Sequence, residues 1–298
     1  MANCGGAYSD NCCASLEVTG GTYFRTYTYA SDISGPSGEA DPATVSNFRL
    51  DKYLVTVGRF RQFVNAWSGG SGWLPAAGSG IHTHLNRGQG LVNVGNDAAV
   101  AYETGWVASD NSNIGPTNTN LACDSRYSTW TNSPGSQENL PINCVNWWES
   151  YAFCIWDGGF LPSEAEWEYA AAGGGQQREY PWGTGGGGLE AIYDCNYPPG
   201  MGGVASCTGV MNIAPVGTAL GAGLWGQLDM AGEVWEWNLD WYATYVDPCT
   251  DCAYLTASSS RVNRGGFFFA GPSLFPLRSG VTPSSRDYGY GLRCARTP

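Results

Sequence analysis

Between Asn146 and Gly174 the chain carries two helix signatures back to back, each bounded at both ends by its own residues. Asn146 can cap a helix over about residues 147–156, with Glu149 at the third helical position returning the bond and Gly158-Gly159 as the stop. Ser163 and Glu166 form an S-x-x-E box opening a second helix over about 164–172, which Gly173-Gly174 ends. A further helix over about 57–67 reads from Val57, Phe60, Phe63, Val64 and Trp67 on one face, with Thr56 as cap and Gly69-Gly70 as terminator. No other stretch is as periodic. Residues 14–28 and 261–269 are β-like patches, and the remainder reads as short strands and long loops. These signals predict an α+β fold, a single irregular domain with few helices.

Composition sets limits on function. The 298 residues include 43 glycines, which suit loops, and 13 Trp, 17 Tyr and 10 Phe, which suit large core anchors. With 14 Lys and Arg against 26 Asp and Glu, the formal net charge is -12, so no basic footprint for nucleic acid or anionic membrane exists. No apolar run is long enough to span a bilayer, so membrane insertion is not expected. There is no internal repeat and no long linker. Residues 69–138 form a long polar connection, but Trp73, Trp106, Trp130 and Cys123 predict that it is packed and ordered. The glycine-rich run 183–188 lacks the Lys-Ser/Thr of a phosphate loop and reads as a surface loop.

Eleven cysteines accompany only two histidines, His82 and His84. Zinc sites would want paired short spacings with histidines nearby, and Cys249-Thr-Asp-Cys252 is the lone C-x-x-C. Scattered cysteines read better as disulfides, and hence as a secreted or cell-surface chain, here without an export signal. Their odd number leaves one thiol over. The dense start suggests a cysteine-rich N-terminal extension over 1–14, followed by one domain over 15–298. His82-Thr-His84 would share a side if the segment were a strand. Its flanks are loop-like and no third ligand has suitable spacing, so a solvated loop is expected. No G-x-S-x-G or similar nucleophile motif is present.

Four blocks, in order, resemble the formylglycine-generating-enzyme, or sulfatase-modifying-factor, family. They are VTVGRFRQFV (55–64), LPINCVNWWESYAFCIWDGGFLPSEAEWEYAAAGG (140–174) with YPWG (180–183), LWGQLDMAGEVWEWNLDWY (224–242), and RVNRGG to LRCAR (261–296). The resemblance covers nearly the whole chain and implies one domain with a C-type-lectin-like core elaborated by loops. It implies a disulfide between Cys154 and Cys294, closing a loop of about 140 residues and worth about 4–5 kcal/mol by loop entropy. It also implies a structural calcium held by the Asp229 side chain, the carbonyls of Gly232 and Val234, and the Glu236 carboxylate, with Asn196 as part of a second site. Oxygen ligands of this kind are what calcium takes. Glu233 departs from the family, which usually has Asn there.

Catalytic members of that family are expected to need residues this chain lacks. Formylglycine-generating enzymes bind copper through two cysteines after the R-G-G turn, and soft thiolates suit Cu(I). Here Ala270, Phe275 and their neighbours stand in that segment. Iron-dependent sulfoxide synthases carry an H-x-x-x-H-x-E triad, which two histidines in an H-x-H cannot supply. Neither copper nor iron is therefore expected.

Residues 264–294 are instead rich in aromatics. Phe267, Phe268, Phe269, Phe275, Tyr288 and Tyr290, with Arg278 and Arg286, form the candidate ligand-binding surface. Three consecutive phenylalanines in a strand cannot all face one core. The expectation is a non-catalytic extracellular protein that binds a protein or glycan there, as catalytically silent paralogues and the hypervariable proteins of diversity-generating retroelements do. The alternative is a metal-dependent oxidoreductase using another site, for instance around His82 and His84.

Overall fold

The computed structural model describes residues 2–5, 9–29, 35–96, 100–185, 188–269 and 278–298. In chain order the strands are β1 (Ala2–Cys4), β2 (Asp10–Asn11), β3 (Ser15–Val18), β4 (Gly21–Tyr29), β5 (Pro36–Val45), β6 (Phe48–Asp51), β7 (Val92–Asn93), β8 (Trp235–Trp241), β9 (Cys249–Thr250), β10 (Cys252–Ala253), β11 (Arg261–Arg264), β12 (Ser279–Val281), β13 (Tyr290–Gly291) and β14 (Ala295–Arg296). The α-helices are α1 (Val57–Trp67), α2 (Asn118–Leu121), α3 (Trp147–Trp156) and α4 (Glu164–Ala171). The largest sheet orders β12-β11-β8-β13, and β14-β6-β3 and β4-β5-β9 form two others. It is an α+β domain of few helices and short strands.

The three legible helices form where local chemistry places them. Thr56 accepts from the Arg59 amide, and both capping boxes are made in full, Asn146 with Glu149 and Ser163 with Glu166. The short α2, capped by Thr117, has too few residues to leave a periodic pattern. Phe60 of α1 stacks on Phe153 of α3 at 5.4 Å, and Phe63 meets the same ring edge-on at 5.9 Å. Truncating such a ring to Ala costs about 3–5 kcal/mol.

Among the described residues of the connection over 69–138, Trp106 and Trp130 are buried in the core. Five disulfides join Cys4–Cys12, Cys123–Cys144, Cys154–Cys294, Cys195–Cys207 and Cys249–Cys252, and the thiol left over is the exposed Cys13. The Cys4–Cys12 hairpin packs on Tyr53, Leu54 and Val216. Among the described residues no helix is long and apolar enough to cross a membrane.

His82 departs from the solvated loop expected for it. It is fully buried, its Nδ1 2.9 Å from Glu103 and its Nε2 3.0 Å from Glu166, with the Phe160 ring 3.7 Å away. Burial works against the charged ring, but the two carboxylates outweigh it and raise the His82 pKa to about 10. Glu166 is the capping-box residue of α4, so this imidazolium ties His82 and Glu103 to that helix start. Glu149, the box residue of α3, is gripped in the same way by Arg286.

Candidate functional site

The turn after β11 launches the aromatic triplet. Gly265 and Gly266 have φ of 101° and 78°, conformations that side chains resist. The Phe268 amide then donates to the Glu233 carbonyl and its own carbonyl accepts from the Cys195 amide, so the triplet is pinned from both sides. The three rings do not lie in a strand. Phe268 is fully buried, while Phe267 and Phe269 are half-buried beside Tyr288 and Tyr127. Tyr127 lies 4.9 Å from Tyr288, and its hydroxyl donates to the Cys207 carbonyl.

The candidate surface is therefore narrower than the sequence suggests. Phe268 belongs to the core beneath it. Arg278 is spent on the buried Glu164, at 2.6 Å, and stacks over Tyr242 and Tyr245. Arg286 is spent on Glu149 and the Cys144 carbonyl. Tyr290 is half-buried edge-on against Trp237. Phe267, Phe269 and Tyr288 remain partly open, joined by Tyr127, whose distance in sequence hid it. Phe275 and Ala270 lie outside the described residues.

The turn preceding β8 holds the candidate calcium residues. Asp229 and Glu233 both sit at positive φ, 58° and 56°, and both are buried. Asp229 Oδ2 accepts from the Gly217 amide at 2.6 Å and Glu233 Oε2 from the Ala214 amide at 3.3 Å. Their other oxygens, Asp229 Oδ1 and Glu233 Oε1, are buried without a partner. Burial pushes the Asp229 pKa up to about 6, and burial with the neighbouring Asp229 pushes Glu233 well above the carboxylate range. Two orphaned oxygens on adjoining buried acids are an arrangement a hard cation would relieve. Glu236 is already paired through both oxygens with Arg293 and accepts from Trp167 Nε1, which leaves it fewer lone pairs to offer. Asn196 spends its amide on Tyr193, Gly188 and Ala191, closing its own loop.

The histidines offer no comparable donor set. Both His82 ring nitrogens are bonded to carboxylates. His84 is half-buried against Phe160, with neither ring nitrogen hydrogen-bonded. Among the described residues no group of three His, Cys, Asp or Glu side chains is arranged around a metal position.

Residues 7–298 match the sulfatase-modifying factor enzyme 1-like domain. The chain belongs to that family. It is 30% identical to a formylglycine-generating enzyme of Thermomonospora curvata, over 95% of this chain and 93% of that one. It is also 26% identical to the inactive C-alpha-formylglycine-generating enzyme 2 of Mus musculus, over 95% of this chain and 85% of that protein. Both an enzyme and an inactive relative are thus similar along nearly its whole length. In fold the chain resembles PvdO from Pseudomonas aeruginosa, with a TM-score of 0.60 at 19% identity over 95% and 94% of the two chains.

Proposed function

We propose that this chain is a non-catalytic, extracellular ligand-binding member of the sulfatase-modifying factor family, acting in secreted form or at the cell surface. One observation carries the proposal. After the R-G-G turn the chain holds a half-open aromatic cluster, Phe267, Phe269 and Tyr288 over the buried Phe268. In sequence, Ala270 and Phe275 occupy the segment where the resemblance calls for copper-binding cysteines. Rigid aromatic rings present much apolar area at little entropic cost, which suits recognition of a protein or a glycan. The five disulfides support work in an oxidising compartment.

Calcium is part of the proposal. Glu236 stays with Arg293 and Trp167, while the Asp229 side chain and the Gly232 and Val234 carbonyls, with Glu233 as an added carboxylate, would hold a structural ion. It would neutralise the two orphaned acids and fix the turn whose Glu233 carbonyl anchors Phe268. Neither copper nor iron has a part in this reading. The test is binding to immobilised panels of glycans and peptides, comparing wild type with Phe267→Ser/Phe269→Ser. The expected result is saturable binding that the double variant weakens at least about tenfold, the scale of one aromatic anchor lost. Equal binding by both proteins would place the ligand elsewhere.

A further inference from the structure

Strand β11 carries two buried arginines with different surroundings. Arg264 is saturated by Glu164, Glu168 and the Tyr245 hydroxyl. Arg261 is 9% exposed and lies on the β8 face that meets α3. Its guanidinium carbon is 3.6 Å from the Trp147 ring centre and 3.7 Å from that of Trp241. Its Nη1 donates to the Leu239 carbonyl, its Nε has no acceptor, and among the described residues it makes no ion pair. The other buried cations, Arg25, Arg59, Arg61, His82, Arg264 and Arg293, each hold a carboxylate.

A buried guanidinium without an anion is costly, and two aromatic faces compensate only in part. Burial is also the main cause lowering the Arg261 pKa to about 9. The unpaired group lines a cavity of about 200 Å³ with Trp147, Tyr151, Trp241, Leu255 and Asp110. Glu103 also borders it but is committed to His82. Asp110, half-buried at the rim, receives only a long 3.5 Å contact from Asn113. Asp240 is held by the Glu164 and Tyr254 amides.

We propose that this cleft binds a small carboxylate-bearing molecule, its carboxylate pairing with the Arg261 guanidinium between the two tryptophan faces. The volume suits an acid about the size of an amino acid, smaller than the roughly 300 Å³ at which drug-sized pockets begin. A carboxylate completes the fork geometry that the Leu239 carbonyl satisfies at one nitrogen. Asp110 at the rim suits a ligand with a positive end. The cleft shares no residue with the aromatic surface at Phe267, Phe269 and Tyr288, so it stands or falls separately from the proposed function.

The test follows the Arg261 Nε–H resonance by NMR in protein with isotope-labelled arginine, assigned by its loss in Arg261→Lys. Acetate is titrated at constant ionic strength against neutral acetamide. The expected result is a saturable shift at Arg261 with acetate and none with acetamide. Asp110→Asn, which removes the competing anion and keeps Arg261 and both tryptophans, should tighten acetate binding several-fold. Free glycine and triglycine, each beside its C-terminal amide, separate a free acid from a chain terminus. Either acid moving Arg261 while its amide does not upholds the site. If none of these acids moves Arg261, in wild type or in Asp110→Asn, the proposal is overturned. If Arg261→Lys fails to fold, the resonance is assigned instead by its loss in Arg261→Met, which keeps an apolar stem between the two tryptophans.

Discussion

Arg264 and Arg261 stand three positions apart on one strand, both out of water, and they are treated in opposite ways. Arg264 sits in a closed ionic cluster under α4, where two glutamates and a tyrosine take up its donors. Arg261 faces a cleft and touches mainly aromatic rings. One face of the sheet therefore uses charge to lock the fold, and the other leaves a charge available. The same division separates Arg278 and Arg286, spent on Glu164 and Glu149, from the half-open aromatics nearby.

Mutations should widen or erase this contrast. Arg264→Met leaves Glu164 and Glu168 buried without their main cation and should cost about 3–5 kcal/mol in denaturant unfolding. A comparable loss, about 4–5 kcal/mol by loop entropy, is expected for Cys154→Ser/Cys294→Ser, since that bridge spans 140 residues. Arg261→Met strands no acid and keeps an apolar stem between the tryptophans, so its cost should stay below about 1.5 kcal/mol. Equal losses for Arg264→Met and Arg261→Met would erase the distinction.

A pH series sharpens it further. His82 belongs to the locked class, and its folded pKa of about 10 exceeds the ordinary value of 6.5. Its contribution is fully present below about pH 6.5, where both states carry the proton. It is lost as pH rises toward about 10, at up to about 1.4 kcal/mol per pH unit. Urea melts across that window should show stability falling with pH, and His82→Gln should flatten that part of the slope. An unchanged slope would show that the ring does not hold its proton as described. The smallest effect is expected at the open aromatics. Phe269→Ser should change stability by about 1 kcal/mol or less, because the ring is only half-buried and its backbone is anchored through Phe268.

What could be read in the sequence follows the range of each interaction. The helices were legible because a capping box is completed within four residues, as at Asn146–Glu149 and Ser163–Glu166. The Cys154–Cys294 bridge was reached through resemblance alone, since no local pattern pairs residues so far apart. The cations that grip the box glutamates were not legible. His82 meets Glu166 across 84 positions and Arg286 meets Glu149 across 137. For the same reason His82 read as solvated, although only its place in a loop holds, and Tyr127 was missed as part of the aromatic cluster. Strand alternation does not apply to the three phenylalanines, because β11 ends at Arg264 and it is a turn that buries the middle ring. The Arg261 cleft left no signal, because its walls come from α3, β8, β11 and the segment around Asp110.

The most direct test of the central claim is elemental analysis of the purified protein before and after mild chelation, with a thermal melt of each sample. The account predicts calcium without copper or iron, and a melting temperature that falls when calcium is removed from the turn at Asp229 and Glu233. Stoichiometric copper or iron would contradict it and return the chain to the enzymes of its family.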